Sequence, residues 1–224
     1  AGADVRMSMT APENNLWGIH AGMTGDAHAL FMQQQCIAIG WHEMGDLSKL
    51  TSTREAFKIA VAGMFPAMKA GALPTTAGQM FRFLNEMKVG DLVAYPSKHD
   101  RMINLGRITG EYVYDPGAEA TYPHRRAVTW LKHVPRTNFD QAPLYEIGSA
   151  LSLFLIKNYA DAFRAALSGA PVPVTPVTQD ETVAAVAADI EETTRDFVLK
   201  RLAQQLKGHP FADFVAHLLN TMGY

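Results

Sequence analysis

Three stretches rich in β-branched and aromatic residues dominate the middle of the chain. They cover residues 92–96, 103–114 and 127–131, and the sequences Ser-Lys-His-Asp and Asp-Pro-Gly, which favour turns, lie between them. Short runs of this kind are typical of consecutive antiparallel strands. The pattern therefore predicts a central sheet around which the other segments pack.

The flanking segments alternate between strand and helix patterns. An apolar strand is predicted over 15–21, a helix capped by Asp26 over 26–35, and a second strand over 36–41. Thr53 and either Thr75 or Thr76 are predicted to cap helices over 54–62 and 77–87, and two further helices are predicted over 144–151 and 154–167. Together these elements predict an α+β domain over 14–168.

The C-terminal part begins with a proline-rich linker over residues 169–179, which contains three prolines in six residues and should be extended. Residues 180–207 contain no helix breaker, and acidic residues come early and basic ones late, so one long spacer helix is predicted. Its apolar positions keep no single heptad register, which favours packing on a neighbour over a dimeric coiled coil. A final amphipathic helix is predicted within 208–224, and residues 1–13 are expected to be disordered or derived from cloning.

Charge restricts how this chain could bind nucleic acid. The net charge of -2 excludes a uniformly basic binder, so phosphate contacts must come from a local patch. Residues 95–136 carry seven Lys or Arg against four Asp or Glu, interleaved with aromatic rings, although a mixed-charge solvated surface has the same composition. The predicted phosphate-binding side chains are Lys98, Arg101, Arg107, Arg125, Arg126 and Lys132.

The chain contains no recognisable catalytic motif. There is no Gly-x-x-x-x-Gly-Lys-Ser/Thr or Gly-x-Ser-x-Gly sequence, and the one Glu-x-Lys, at Glu86, ends a predicted helix instead of lying on a strand. The single cysteine, Cys36, excludes an internal disulfide and a thiolate metal cluster. We therefore expect no catalytic residue, metal ligand or cofactor here. No apolar run is long enough to span a membrane and no signal pattern is present, which predicts a cytoplasmic protein without a membrane partner.

The tryptophans are the most informative candidates for a binding pocket. Trp17 lies in the middle of a predicted strand and is expected in the core, whereas Trp41 and Trp130 lie where strands approach polar segments. An aromatic ring at such a junction belongs to a core, a surface or a pocket, and spacing alone leaves these open.

Residues 14–167 resemble the PUA-like domains of the EVE and YTH group, which are small β-barrels with flanking helices that bind a modified base. The resemblance rests on Ile39-Gly40-Trp41 and on Val128-Thr129-Trp130, followed by Val134-Pro135 and Phe139. It implies that Trp41 and Trp130 are walls of an aromatic cage, and Tyr95 and His99 are candidates for its third wall.

Residues 211–224 resemble the first helix of the Mrr-type restriction endonuclease domain, on the pattern Phe-x-x-Phe-Val-x-x-Leu-Leu followed by Met-Gly-Tyr. In that family the carboxylates that bind Mg²⁺ come after this helix, so this chain is expected to be inactive as a nuclease. The two resemblances imply the DNA-binding specificity module of a modification-dependent restriction endonuclease that binds duplex DNA and flips a methylated base, and a homodimer through the C-terminal helices or the nuclease domain is compatible with it. Two alternatives are a reader of methylated RNA and a protein-interaction domain whose aromatic residues are all core.

Overall fold

Seven strands form one curled, half-barrel sheet in the computed structural model of the protein, which describes residues 14–117, 120–170 and 209–222. The strands run in the order β2, β6, β4, β3, β1, β7, and β5 also pairs with β6. Only the β1–β3 pair is parallel among these neighbours. The strands are β1 (Leu16–Ile19), β2 (Cys36–Ile39), β3 (Leu92–Pro96), β4 (Met102–Ile108), β5 (Val113–Tyr114), β6 (His124–Pro135) and β7 (Leu153–Leu155).

The longest strand, β6, belongs to both halves of the curled sheet. Its first residues pair with β2 and β5, whereas residues from Val128 onward pair with β4. The register with β4 shifts between Leu105 and Gly106, and a Cβ atom on Gly106 would lie only 2.7 Å from the Val128 side chain. The absence of a side chain at this glycine therefore allows the two strands to approach at the bend.

Helices cover the sheet on both sides. They are α1 (His28–Gln33), α2 (Arg54–Met64), α3 (Leu73–Phe81), α4 (Gln141–Ile147) and α5 (Ala160–Ser168), with a further helix α6 (His209–Thr221) in the C-terminal described range. Within the described ranges, no helix has the length and apolar character needed to cross a bilayer.

The core consists of two clusters on opposite faces of the sheet. Trp17 and Val93 belong to one cluster, together with side chains of α1, α2 and α3. Leu16 and Leu92, their neighbours in sequence, belong to the other, together with side chains of α4 and α5. This alternation follows from the two-residue period of a strand and shows that the sheet is the middle layer.

The structure confirms the mixed α+β class and much of the predicted order of elements. Strand β3 has the predicted bounds, β3 and β4 pair antiparallel, Thr53 caps α2 by accepting from the Ala56 N–H, and α5 ends at Gly169 in the left-handed conformation. The predicted linker from residue 171, the spacer helix over 180–207 and the N-terminal residues 1–13 lie outside the described residues.

Several predicted elements need correction. The strand run over 103–114 is divided into β4 and β5, and the helix predicted over 144–151 is α4, at Gln141–Ile147. Asp26 does not cap α1, because the cap position is Ala27 and no side chain bonds the first-turn amides. Helix α3 begins at Leu73, with proline in its first turn, and continues into a π-helical turn at Arg82–Glu86. The predicted helix over 154–167 begins with β7, because Leu153–Leu155 pairs with β1 and leaves only Ala160–Ser168 as helix.

Candidate functional site

One end of the half-barrel brings together the start of α1, the end of β2 and the start of β6. Tyr122 connects these elements: its hydroxyl donates to the Asp26 carboxylate, and its ring is 3.9 Å from where a Cβ atom on Gly40 would lie. Asp26 lies two residues before α1, and Gly40 directly follows β2. We call this end of the sheet the barrel mouth, defined by Asp26, Gly40, Trp41 and Tyr122.

Trp41 has an unusual backbone conformation at this mouth. Its φ of 61° and ψ of 43° place it in the left-handed region, which a bulky residue rarely adopts. The indole is half-buried and packs against the edge of the first core cluster. Backbone strain of this kind persists only where surrounding contacts enforce it, and it is common at binding sites.

A buried histidine holds the Trp41 segment in place. His124 is fully buried at the start of β6, its Nε2 lies 3.3 Å from the Trp41 carbonyl and its Nδ1 lies 2.9 Å from the Tyr112 hydroxyl. The Leu47 N–H donates to the same hydroxyl at 3.1 Å. Burial lowers the pKa of His124 and raises the pKa of Tyr112, so both groups are neutral. A neutral ring that donates to the Trp41 carbonyl through Nε2 must accept from Tyr112 through Nδ1, which completes the network.

The loop at residues 22–25 and the turn at residues 98–100 flank the mouth beside α1. The loop has glycines with φ of 76° and 87° at its two ends. The Lys98 ammonium of the neighbouring turn donates to the Met23 carbonyl at 2.7 Å, and the Tyr122 hydroxyl lowers the pKa of Asp26 by hydrogen bonding to its carboxylate. The mouth therefore presents an ionised carboxylate beside an aromatic ring.

The other predicted pocket residues, Tyr95, His99 and Trp130, form a second aromatic group that packs against α1. Tyr95 is buried, its ring centroid is 6.1 Å from that of Trp130, and burial raises its pKa to about 12. The Tyr95 hydroxyl lies 2.9 Å from Nδ1 of His28, and His28 packs against the exposed His99 ring with centroids 4.8 Å apart. The Trp130 indole N–H donates to the Phe31 carbonyl in α1 at 3.0 Å.

Trp41 and Trp130 are associated with different positions along β6. The carbonyl of Trp41 is bonded by His124, at the start of that strand, and Trp130 lies six residues further along it. The structure thus groups Trp130 with Tyr95 and, through His28, with His99, and it groups Trp41 with Tyr122 and Asp26.

The predicted phosphate-binding side chains fall into three groups by exposure. Lys98 is exposed, as is Arg107, which donates to the Gly90 carbonyl at 3.0 Å. Arg125 and Arg126 are buried and donate to protein acceptors. Arg101 is half-buried with a left-handed φ of 60°, and half-buried Lys132 donates to the Ala166 carbonyl.

Sequence reasoning did not identify Tyr122, Asp26 or His124 as site residues. Tyr122 and Asp26 are separated by 96 positions, so no local pattern links them. The available signal was the Tyr-Pro-His sequence that leads into β6, which places two rings at the start of a strand. Within the described ranges, no three or more His, Cys, Asp or Glu side chains are grouped so that they could hold a metal ion.

Comparison with known proteins finds one family. The family model described as "Domain of unknown function (DUF8426)" matches residues 17–153, more than half of the 224 residues. No curated protein matches the chain. The matched range includes every residue of the barrel mouth and the second aromatic group.

Proposed function

The chain belongs to the family described as Domain of unknown function (DUF8426), and we propose that its half-barrel reads a modified base in duplex DNA. In this proposal the domain is a PUA-like specificity module of a modification-dependent restriction endonuclease. The observation that carries the proposal is the half-buried Trp41, held in a left-handed conformation at the barrel mouth by the buried His124.

A partly exposed indole on a braced segment suits stacking against a single base. Stacking on an aromatic side chain contributes roughly 1–3 kcal/mol per base, and flipping a base out of duplex DNA costs a few kcal/mol. Tyr122, on the adjacent segment, supplies a second aromatic surface near Gly40. A buried methyl group adds about 0.8 kcal/mol in favour of the modified base.

Polar groups at the mouth would orient the base. The Asp26 carboxylate is exposed, and the hydroxyls of Thr24 and Tyr122 hold its two oxygens. An ionised carboxylate only accepts hydrogen bonds, so it would pair with the exocyclic amine of an adenine or cytosine derivative.

The second aromatic group would support the mouth from behind. Trp130 fixes α1 through the Phe31 carbonyl, and Tyr95 orients His28, on which His99 packs. Of these side chains His99 is exposed, so it is the one that would contact DNA directly, and Tyr95 and Trp130 would maintain the geometry.

Lys98 and Arg107 supply the phosphate contacts in this proposal, because their side chains are exposed in the structure. With about two such contacts, the logarithm of the affinity should fall with the logarithm of salt concentration with a slope of roughly -2. Helix α6, His209–Thr221, lies where the Mrr-type resemblance predicts the first nuclease helix. The Mg²⁺ site and any homodimer contact of the nuclease would belong to the rest of such a domain.

Binding to a set of matched oligonucleotides tests the proposal. We would measure the affinity of the chain for one duplex carrying, in turn, no modification, N6-methyladenine, 5-methylcytosine or 5-hydroxymethylcytosine, and for the corresponding RNA. We expect preference for one modified DNA duplex, and Trp41→Ala should abolish that preference while sparing most of the salt-dependent affinity.

Phe65→Ala is the matched control, because Phe65 is also a half-buried aromatic residue at the edge of the first core cluster but follows α2. It should keep the preference, and thermal unfolding would verify that both variants are folded. Equal affinity of the wild-type chain for all four DNA duplexes would overturn the proposal. Preference for methylated RNA would favour the RNA reader instead.

A further inference from the structure

Met23 is the most exposed large hydrophobic side chain among the described residues, with 89% of its surface accessible. It lies at the tip of the loop at residues 22–25, between two glycines with left-handed backbone conformations. A fully solvated Met side chain gains nothing from burial in the isolated chain. Its position therefore raises the question of what covers it in a complex.

The Met23 loop is held firmly despite the exposure of its tip. Lys98 donates to the Met23 carbonyl, Thr24 donates to Asp26 at 3.0 Å, and the Ala27 N–H donates to the Ala21 carbonyl at 3.1 Å. These bonds fix the backbone on both sides of Met23. An apolar side chain on a braced loop is suited to insertion into a partner without a large loss of loop entropy.

The base of this loop lies directly against the barrel mouth. A Cβ atom on Gly22 would lie 2.2 Å from the Tyr122 hydroxyl, and one on Gly25 would lie 3.5 Å from the His99 ring. Lys98 and His99, from the neighbouring turn, are exposed beside it. Met23 is thus an apolar tip with a cation at its base, next to the proposed base pocket.

We infer that Met23 is the wedge that enters the duplex and fills the space left by the flipped base, an inference that rests on the proposed function. DNA-bending proteins insert Met, Leu, Ile, Phe or Pro between base steps in this way. The side chain would take the place of the extruded base in the stack, and the Lys98 ammonium would meet the adjacent phosphate. Met23 would then promote flipping without contacting the modified base.

Comparison of duplex and single-stranded targets separates a wedge from a base contact. A single strand carrying the modified base has no stack to fill, so its binding should not depend on Met23. Using whichever of the three modified duplexes the wild-type chain prefers, we expect Met23→Ala to weaken duplex binding by about tenfold or more. Affinity for the same modified strand alone should be unchanged, and Met23→Leu should restore duplex binding.

Met64→Ala is the matched control, because Met64 is 46% exposed at the end of α2 and should affect neither target. Unchanged duplex binding by Met23→Ala, or equal weakening of duplex and single strand, would overturn the wedge while leaving base reading intact. Loss of discrimination by the wild-type chain itself would overturn both proposals.

Discussion

Arg126→Ala is expected to destabilise the fold severely, although the sequence analysis placed Arg126 among the phosphate contacts. The side chain is 1% exposed. Its guanidinium donates to the carbonyls of Phe83 and Leu84, each at 2.9 Å, and to the carbonyl of Gly110 at 3.3 Å. Phe83 and Leu84 lie in the π-helical turn at Arg82–Glu86, so this arginine satisfies carbonyls near the end of a helix.

The expected loss follows from these contacts. A hydrogen bond to a charged group contributes roughly 1.5–3 kcal/mol, and removing one partner of a buried polar set costs about 3–5 kcal/mol in total. The ion pair with Glu111 adds little, because that carboxylate is 80% exposed. We therefore expect Arg126→Ala to lower the free energy of unfolding by about 3–5 kcal/mol, a large part of the roughly 5–15 kcal/mol typical of a domain.

Urea denaturation of the wild type, Arg126→Ala and Arg107→Ala would test this reasoning. Arg107 is exposed, so its removal should change the free energy of unfolding by less than about 0.5 kcal/mol. DNA binding should show the reverse order: Arg107→Ala weakens the affinity and reduces its salt dependence, whereas Arg126→Ala acts only by lowering the folded fraction. A loss below about 1 kcal/mol for Arg126→Ala would refute the assignment of Arg126 to a structural role.

Two further predictions concern buried polar groups. Asp91 accepts from the Trp17 indole N–H at 2.8 Å and from the backbone N–H groups of Lys88 and Asn15. Asp91→Ala should therefore lower the free energy of unfolding by roughly 2–4 kcal/mol in urea titrations. No loss is expected for the control Asp161→Ala, at an exposed helical position. Because burial lowers the pKa of His124, the unfolded chain binds a proton at a higher pH than the folded chain does, and stability should fall as the pH drops below about 6.5. Urea midpoints measured down that range should decrease in the wild type and decrease less in His124→Gln; an equal decrease would contradict this role of His124.

Elements with a strong local pattern could be predicted from the sequence. The continuous apolar run of β3 and the cap at Thr53 depend on neighbouring residues only, and both have the predicted positions. Strand β7 was missed because a run of three apolar residues fits a buried helix as well as a strand. Only its pairing with β1 identifies it as a strand. The π-helical turn after α3 was missed for a similar reason: its carbonyls are satisfied by Arg126, which is 42 residues or more away.

In the candidate site, too, local sequence patterns identify some residues and tertiary contacts determine the others. Trp41 was selected through the resemblance to the EVE and YTH group, because its position at a strand–loop junction alone left core, surface and pocket open. Tyr122, by contrast, is brought beside the neighbouring Gly40 only by folding. The run Arg125-Arg126 resembles a charged surface in composition, yet both side chains are buried in β6 and donate to acceptors within the protein. Tertiary contacts therefore decide which of the predicted cations remain exposed, and these are Lys98 and Arg107.

The position of β1 constrains the order in which the chain can assemble. Leu16 pairs with Leu92, 76 residues later, and Trp17 pairs with Leu155, 138 residues later. During synthesis β1 therefore has no strand partner until β3 emerges and lacks its second partner until β7 does, and such distant pairings are slow to form. The ring of Phe154 then closes against Gly18, where a Cβ atom would lie 2.3 Å from it, so the sheet is completed by one of its latest strands.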